Sequence, residues 1–385
     1  MDITMIPITK PSLDNSDYRY IKKVLKSKIL TDGYFQQETE KLLKKYIKSK
    51  FVALTHSCTA ALEISAILIN LKKNDEVIMP SYGFVSVANA VVLRGAKPIF
   101  ADIDPLTLNV SYDDISKKIT NRTKAIYIIH YAGNSCEIDK ISKLAKKNKI
   151  YLIEDSAHAF LAKNKNKFLG TIGDIGVFSF HETKNLVAGQ GGCISINNTS
   201  LLKRANNILD KGTDRKKFIN NFKNKIIKYN NKKFYSWVDV GSEYRASELS
   251  SALLYSQMLK AEKIQKKRKY LWNKFNKSIN NLKTKKFYLI KPPEESTSAY
   301  HLFVLVFRNS KLSLQFKNKM QKSNIAATFH YVPLHKSKMG KKFSNSKLPV
   351  TENIYDRIVR LPLFPDMTKK EINKINKNIK EFNYE

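Results

Sequence analysis

Lys184 stands in the run Phe178-Ser179-Phe180-His181-Glu182-Thr183-Lys184-Asn185, just ahead of Gly189-Gln190-Gly191-Gly192. In a chain with 69 lysines and arginines, a lysine is ordinarily a solvated surface group. This one follows an aromatic, strand-like run and precedes glycines that permit close backbone approach to a ligand. A desolvated lysine sheds its proton and can form a Schiff base with an aldehyde cofactor, and the Ser179 hydroxyl lies close enough in sequence to reach that cofactor's phosphate. Glu154-Asp155-Ser156-Ala157-His158 ends an apolar run, and a carboxylate there needs a positive partner. Asp155 facing a protonated pyridine nitrogen meets that need and keeps the ring an electron sink; capping the next turn is the competing role. His158 either binds the cofactor or is a satisfied polar residue. Ser57-Cys58-Thr59-Ala60-Ala61 opens a helix, where free N–H groups and the helix dipole form a phosphate site. Taken alone, that segment reads as a simple N-cap. In Pro80-Ser81-Tyr82-Gly83-Phe84 an aromatic can stack on a flat ring, although taken alone Phe84 reads as core packing.

These segments need a scaffold that brings them together. Between residues 50 and 196, β-rich runs alternate with helical patterns, which predicts an α/β fold with a mainly parallel sheet. The expected strands are 51–54, 76–79, 98–103, 125–130, 150–154, 177–180 and 193–196, with helices at 59–69, 85–93 and 138–147. Ligands of such sheets sit beyond the carboxyl ends of the strands, where the chemistry-bearing segments fall. Residues 211–233 read as an exposed Lys- and Asn-rich loop. A long helix over 248–275 is expected to link a large cofactor-binding domain (1–247) to a smaller α+β domain (248–385). The smaller one carries strands near 301–307 and 327–331 and a last helix from Lys370.

Composition narrows the class. The chain has 385 residues, 42% apolar and 11% aromatic, which suits a folded protein and not a disordered one. Its net charge of +36 points at first to nucleic acid. The basic residues are spread along the whole chain among asparagines, however, with no zinc-ligand spacing or recognition motif, so the charge reads as incidental. A diffuse preference for anionic substrates is compatible with it. The rival class is a basic nucleic-acid-binding or regulatory protein that kept the fold. Cys58, Cys136 and Cys193 are odd in number and not closely paired, which argues against a disulfide framework and for a reducing cytoplasm. The longest apolar stretch, 52–71, is interrupted by His56, Ser57 and Glu63 and is a poor membrane span. A soluble protein without a metal site is expected.

The segments around Cys58, Phe84, Asp155 and Lys184, in this order, resemble the DegT/DnrJ/StrS sugar-aminotransferase family of fold-type I pyridoxal-phosphate enzymes. The resemblance runs from Thr31-Asp32-Gly33 to His330-Tyr331-Val332-Pro333-Leu334-His335. It implies that Lys184 bonds pyridoxal 5'-phosphate, Asp155 pairs with the pyridine nitrogen, and Phe84 stacks on the ring. It further implies that Cys58, Thr59 and Ser179 hold the phosphate, with His158 near the ring hydroxyl. Asp32, Tyr82, His330, Tyr331 and His335 are implied near the substrate. A homodimer is implied as well, in which a residue from 241–245, with Arg245 a candidate, reaches the partner's cofactor. His158 departs from the glutamine of many relatives, Gly83 from their threonine, and the chain around 223–233 is longer. Phrases such as Asp75-Glu76-Val77-Ile78-Met79-Pro80-Ser81-Tyr82 and His181-Glu182-Thr183-Lys184-Asn185 are similar to the branch that moves an amino group from L-glutamate to carbon 4 of dTDP-4-oxo-6-deoxy-D-glucose, for enterobacterial common antigen. The same chemistry on another nucleotide-linked 3-oxo or 4-oxo sugar is the alternative.

Overall fold

A computed structural model of the chain describes residues 5–215 and 234–384. The expectation of an extra insertion at 223–233 lies outside them. Two helices, α1 (Asn15–Ser27) and α2 (Tyr34–Ile47), precede strands β1 (Val52–Thr55), β2 (Glu76–Pro80), β3 (Lys97–Ala101), β4 (Thr123–Ile129) and β5 (Tyr151–Asp155). The short β6 (Lys163–Asn164) and β7 (Lys167–Phe168) follow, then β8 (Ile175–Ser179) and β9 (Gly192–Ile196). Seven strands form one sheet in the order β1-β9-β8-β5-β4-β2-β3. In it β9 is antiparallel to both neighbours and the other pairs are parallel.

Helices α3 (Cys58–Leu68), α4 (Val85–Val92), α5 (Tyr112–Lys118) and α6 (Ile138–Lys147) connect the strands and cover both faces. Strands so covered must be apolar on both sides, and β4 shows how the pleat divides them. Its Ala125, Tyr127 and Ile129 pack with α3 and α4, whereas Ile126 and Ile128 pack on α6 beside Ile138 and Ile141. After α7 (Leu202–Leu209) come α8 (Glu248–Leu259), α9 (Ala261–Asn280), β10 (Phe287–Leu289), β11 (Ser296–Thr297), β12 (Phe303–Phe307), α10 (Ser310–Lys322), α11 (Pro349–Ile354), β13 (Ile358–Leu361) and α12 (Lys369–Tyr384). A second antiparallel sheet, β10-β12-β13, packs on α9, α10 and α12 through Phe275, Phe303, Phe307, Phe316, Ile375 and Phe382.

Two expectations are corrected. The helix expected over 248–275 is two helices, broken where Lys260 leaves helical geometry at φ −113° and ψ 14°. No glycine or proline marks the break. Lys260 is instead held by Asp14 and Asp17 at 2.9 and 2.6 Å, while α8 packs on α1 and α2 and α9 belongs to the second core. The strand expected at 327–331 is a single bridge from Thr328 to Arg360 followed by irregular backbone. Phe329, His330 and Tyr331 line a cavity instead of a ladder.

Candidate active site

A cavity of about 800 Å³ opens beyond the carboxyl ends of the central strands, closed on the far side by residues 328–331 and β13. Strand β5 delivers Asp155 to it and turns Glu154 away, because consecutive strand residues face opposite sides. Glu154 is fully buried, and its carboxylate accepts from the amides of Gly170, Ile172 and Gly173 and from His130 Nε2 at 2.6–3.0 Å. His130 Nδ1 accepts from the Cys136 amide, which fixes its tautomer with the proton on Nε2. Among the described residues Asp155 has one donor, the Ala157 amide at 2.9 Å. Burial raises the Asp155 pKa, opposed by that bond and by the positive charge of Lys184. Lys184 sits in the loop after β8, and burial lowers its pKa, against the pull of Asp155 and Cys58.

Helix α3 points its N-terminus into the same space. Ser57 caps it by accepting from the Ala60 amide at 3.1 Å, leaving the amides of Cys58 and Thr59 at the cavity wall. Ser179, at the end of β8, lies beside them on that wall. The Gly189–Gly192 run is explained locally. Gly189 has φ +75°, and a side chain at Gly192 would meet the backbone of Ser57 and Cys58, so β9 can lie against the start of α3 only as glycine. Gly83 leaves room for the Ile129 side chain. Phe84 is 57% exposed, an aromatic ring left facing the cavity with Tyr331 6.3 Å away, centre to centre.

His158, His301 and His330 form the opposite wall. The ring of His158 is 4.5 Å from that of His301 and 5.8 Å from that of His330. Burial, reinforced by the charge of Lys184, holds all three pKa values well below the usual histidine value, so the rings are neutral at pH 7. His301 Nδ1 donates to Asn185 at 2.9 Å, and Tyr131 lies 2.8 Å from His330 Nδ1. His158 Nδ1 is buried with no hydrogen-bond partner, a costly state that a bound polar group would relieve. Tyr300 and Tyr331, beside His301 and His330, both adopt positive φ, at 49° and 61°. For such residues that is strain of the kind concentrated at ligand sites.

The structure thus brings together nine of the expected residues: Lys184, Asp155, Cys58, Thr59, Phe84, His158, Ser179, His330 and Tyr331. It does not bring the others to the wall. Tyr82 is buried behind Tyr131 and Tyr331. His335 is 2.6 Å from Ser81 and 3.3 Å from Glu352. Asp32 is 3.9 Å from Arg215, and Arg245 bridges to Thr55 with its guanidinium 3.7 Å from Glu40. The sequence reading missed His301, Arg360 and Arg268. The buried Arg268 donates to the carbonyls of Tyr300, His301 and Leu363, fixing the backbone that carries His301. A signal for Arg360 existed: one charge inside Ile358-Val359-Arg360-Leu361 is costly unless something meets it.

The residues present suit pyridoxal phosphate. A lysine of lowered pKa stands near a buried carboxylate, a capped helix offers two free amides, and an unpartnered imidazole nitrogen and an open aromatic face complete the wall. Comparison with known proteins agrees. The DegT/DnrJ/EryC1/StrS aminotransferase family matches residues 11–380. An uncharacterized protein, MJ1066, of Methanocaldococcus jannaschii is 32% identical, over 98% of this chain and 97% of its own. GDP-perosamine synthase of Escherichia coli O157:H7 is 29% identical over 98% of each chain. Among solved structures, PseC of Helicobacter pylori, an aminotransferase involved in the biosynthesis of pseudoaminic acid, superposes with a TM-score of 0.88 at 25% identity, over 99% of this chain and 100% of that one. The chain therefore belongs to the DegT/DnrJ/EryC1/StrS aminotransferase family and is a pyridoxal-phosphate-dependent transaminase.

Proposed function

We propose that the enzyme transfers the amino group of L-glutamate to carbon 4 of dTDP-4-oxo-6-deoxy-D-glucose, as a dTDP-4-amino-4,6-dideoxygalactose transaminase. The observation that carries the chemistry is the shared cavity of Lys184 and Asp155 at the N-terminus of α3. The sugar and its nucleotide rest on the sequence phrases around Ser57, Asp75 and His181. When bound, pyridoxal phosphate supplies an electron sink for the negative charge that develops at the substrate carbon. Asp155, desolvated and in need of a positive partner, holds the proton on the pyridine nitrogen. The amides of Cys58 and Thr59 with the Ser179 hydroxyl receive the phosphate, and Phe84 covers one ring face. Burial lowers the pKa of the Lys184 amine and so favours its unprotonated form, the form that can take a proton from the substrate carbon and return it. His330, bonded to Tyr131, and Tyr331 line the same cavity and would face the sugar.

A homodimer is part of this reading. Phe234 and Trp237 are each 80% exposed, and Tyr235, Val238 and Val240 continue that apolar band ahead of residues 241–245. A two-fold partner would cover the band and place the crossing residue in both sites at once. A GDP-linked sugar is the second reading, favoured by the relative named GDP-perosamine synthase. Among the described residues no helix is long and apolar enough to cross a membrane. Incubating the pure enzyme and L-glutamate with a panel of dTDP-, UDP- and GDP-linked 3-oxo and 4-oxo sugars tests the proposal. Formation of 2-oxoglutarate with the dTDP-4-oxo sugar in clear preference supports it. Preference for another sugar replaces the substrate and leaves the chemistry.

A further inference from the structure

Asn185 directly follows Lys184, and its side-chain amide reaches out of the lysine loop to residues 298–301. That segment is held from several places in the fold. On α9, Gln265 donates to the Ser298 carbonyl at 3.2 Å, and Arg268 donates to the carbonyls of Tyr300 and His301 at 3.0 and 2.6 Å. The amides of Ala299 and His301 donate to the carbonyls of Gly133 and Ala132 at 3.0 and 3.3 Å. Residues 298–301 are therefore a fixed post, and Asn185 ties the lysine loop to it. Its Nδ2 donates to the Ala299 carbonyl at 2.7 Å, and its Oδ1 lies 2.9 Å from His301 Nδ1.

Each of the two contacts fixes the direction of the other. A carbonyl only accepts, so the amide turns its NH2 to Ala299 and its oxygen to His301. That oxygen in turn only accepts, so His301 carries a proton on Nδ1. Burial and the charge of Lys184 keep the ring neutral, which leaves Nε2 bare. His301 lines the cavity, and among the described residues its Nε2 has no hydrogen-bond partner. The ring thus offers the cavity an acceptor and not a donor. One side chain therefore governs both where the lysine loop rests and which tautomer His301 adopts. We infer that Asn185 is a positioning residue of the transamination, holding the Lys184 loop against residues 298–301 and fixing His301 as a hydrogen-bond acceptor towards the cavity. The role rests on the transaminase chemistry and is independent of which sugar is aminated.

Two readouts on the full-length, cofactor-loaded protein test this. With the histidine ring nitrogens isotope-labelled, NMR shows which nitrogen of His301 carries the proton, its signal assigned by its absence in His301→Gln. Stopped-flow absorbance gives the rate of the half-reaction with L-glutamate alone. In the parent the proton should sit on Nδ1. In Asn185→Ala, which has no acceptor there, it should move to Nε2. The half-reaction should slow about tenfold or more, with little change in the L-glutamate concentration that half-saturates it. This variant should fold, because Gln265 and Arg268 still hold residues 298–301. Asn185→Asp keeps the acceptor and loses the donor, so it should keep the Nδ1 proton and recover part of the rate. A parent with the proton on Nε2 overturns the inference, as does a parent-like rate in Asn185→Ala. A slow Asn185→Ala whose His301 keeps its Nδ1 proton overturns it too, since Asn185 would then be only structural. No sugar takes part in either readout, so a panel in which the dTDP-4-oxo sugar fails to react sinks the proposed substrate and leaves this inference standing.

Discussion

Glu154 and Asp155 are consecutive in one strand, yet one carboxylate is saturated by four protein donors and the other has a single amide. The pleat of β5 separates a structural acid from a chemical one. Their substitutions should separate in the same way. Glu154→Gln exchanges an acceptor oxygen for an NH2 that faces donors, and should cost about 3 kcal/mol of stability, seen as a lower denaturant midpoint.

Asp155→Asn should behave in the opposite sense. It removes a buried charge that has one weakly compensating bond, so the melting temperature of the cofactor-free protein should hold or rise. Turnover should fall about a hundredfold or more, because a neutral amide does not retain the pyridine proton. Equal turnover in the two proteins would mean that Asp155 only caps the turn at Ala157.

How much of this was legible in sequence follows from where each signal is local. Asp155, Lys184 and the Ser57 cap sit at strand and helix ends that apolar runs delimit, so their convergence could be read from the α/β pattern. Lys260 breaks a helix with no local breaker, because its ion pairs to Asp14 and Asp17 come from α1, far away in the chain. Arg360 and His301 reach the cavity through the second sheet and the Arg268 clamp, contacts that no periodicity encodes. The role of Gly192 was legible as close approach, but what approaches is the backbone of Ser57 and Cys58.

That contact makes Gly192 a sharp test of the phosphate end. Gly192→Ala would push β9 from the start of α3, where only backbone atoms stand in the way. Overpacking of this kind costs about 1–3 kcal/mol. Cofactor affinity, followed by dialysis and absorbance, should fall about tenfold, and a parent-like affinity would remove Cys58 and Thr59 from the phosphate site.

The neutral histidine wall gives a pH signature. The folded pKa values of His158, His301 and His330 lie below their unfolded values, so below about pH 6.5 the unfolded chain binds protons that the folded one does not. Their contribution to stability is present above that pH and is lost as the pH falls towards the folded values. The melting temperature should be flat from pH 8 to about 7 and should then decline towards about pH 5. In His158→Gln the decline should be shallower; an unchanged slope would show that His158 is protonated within the folded protein.

The central claim is that Lys184 is the residue bonded to the cofactor. Borohydride reduction of the cofactor-loaded enzyme, followed by proteolysis and mass spectrometry, reads this directly. The account predicts loss of the visible absorbance band and a pyridoxyl group on the peptide containing Lys184, with Lys184→Ala unlabelled and without turnover. Label on a different lysine, or wild-type turnover by Lys184→Ala, would contradict it.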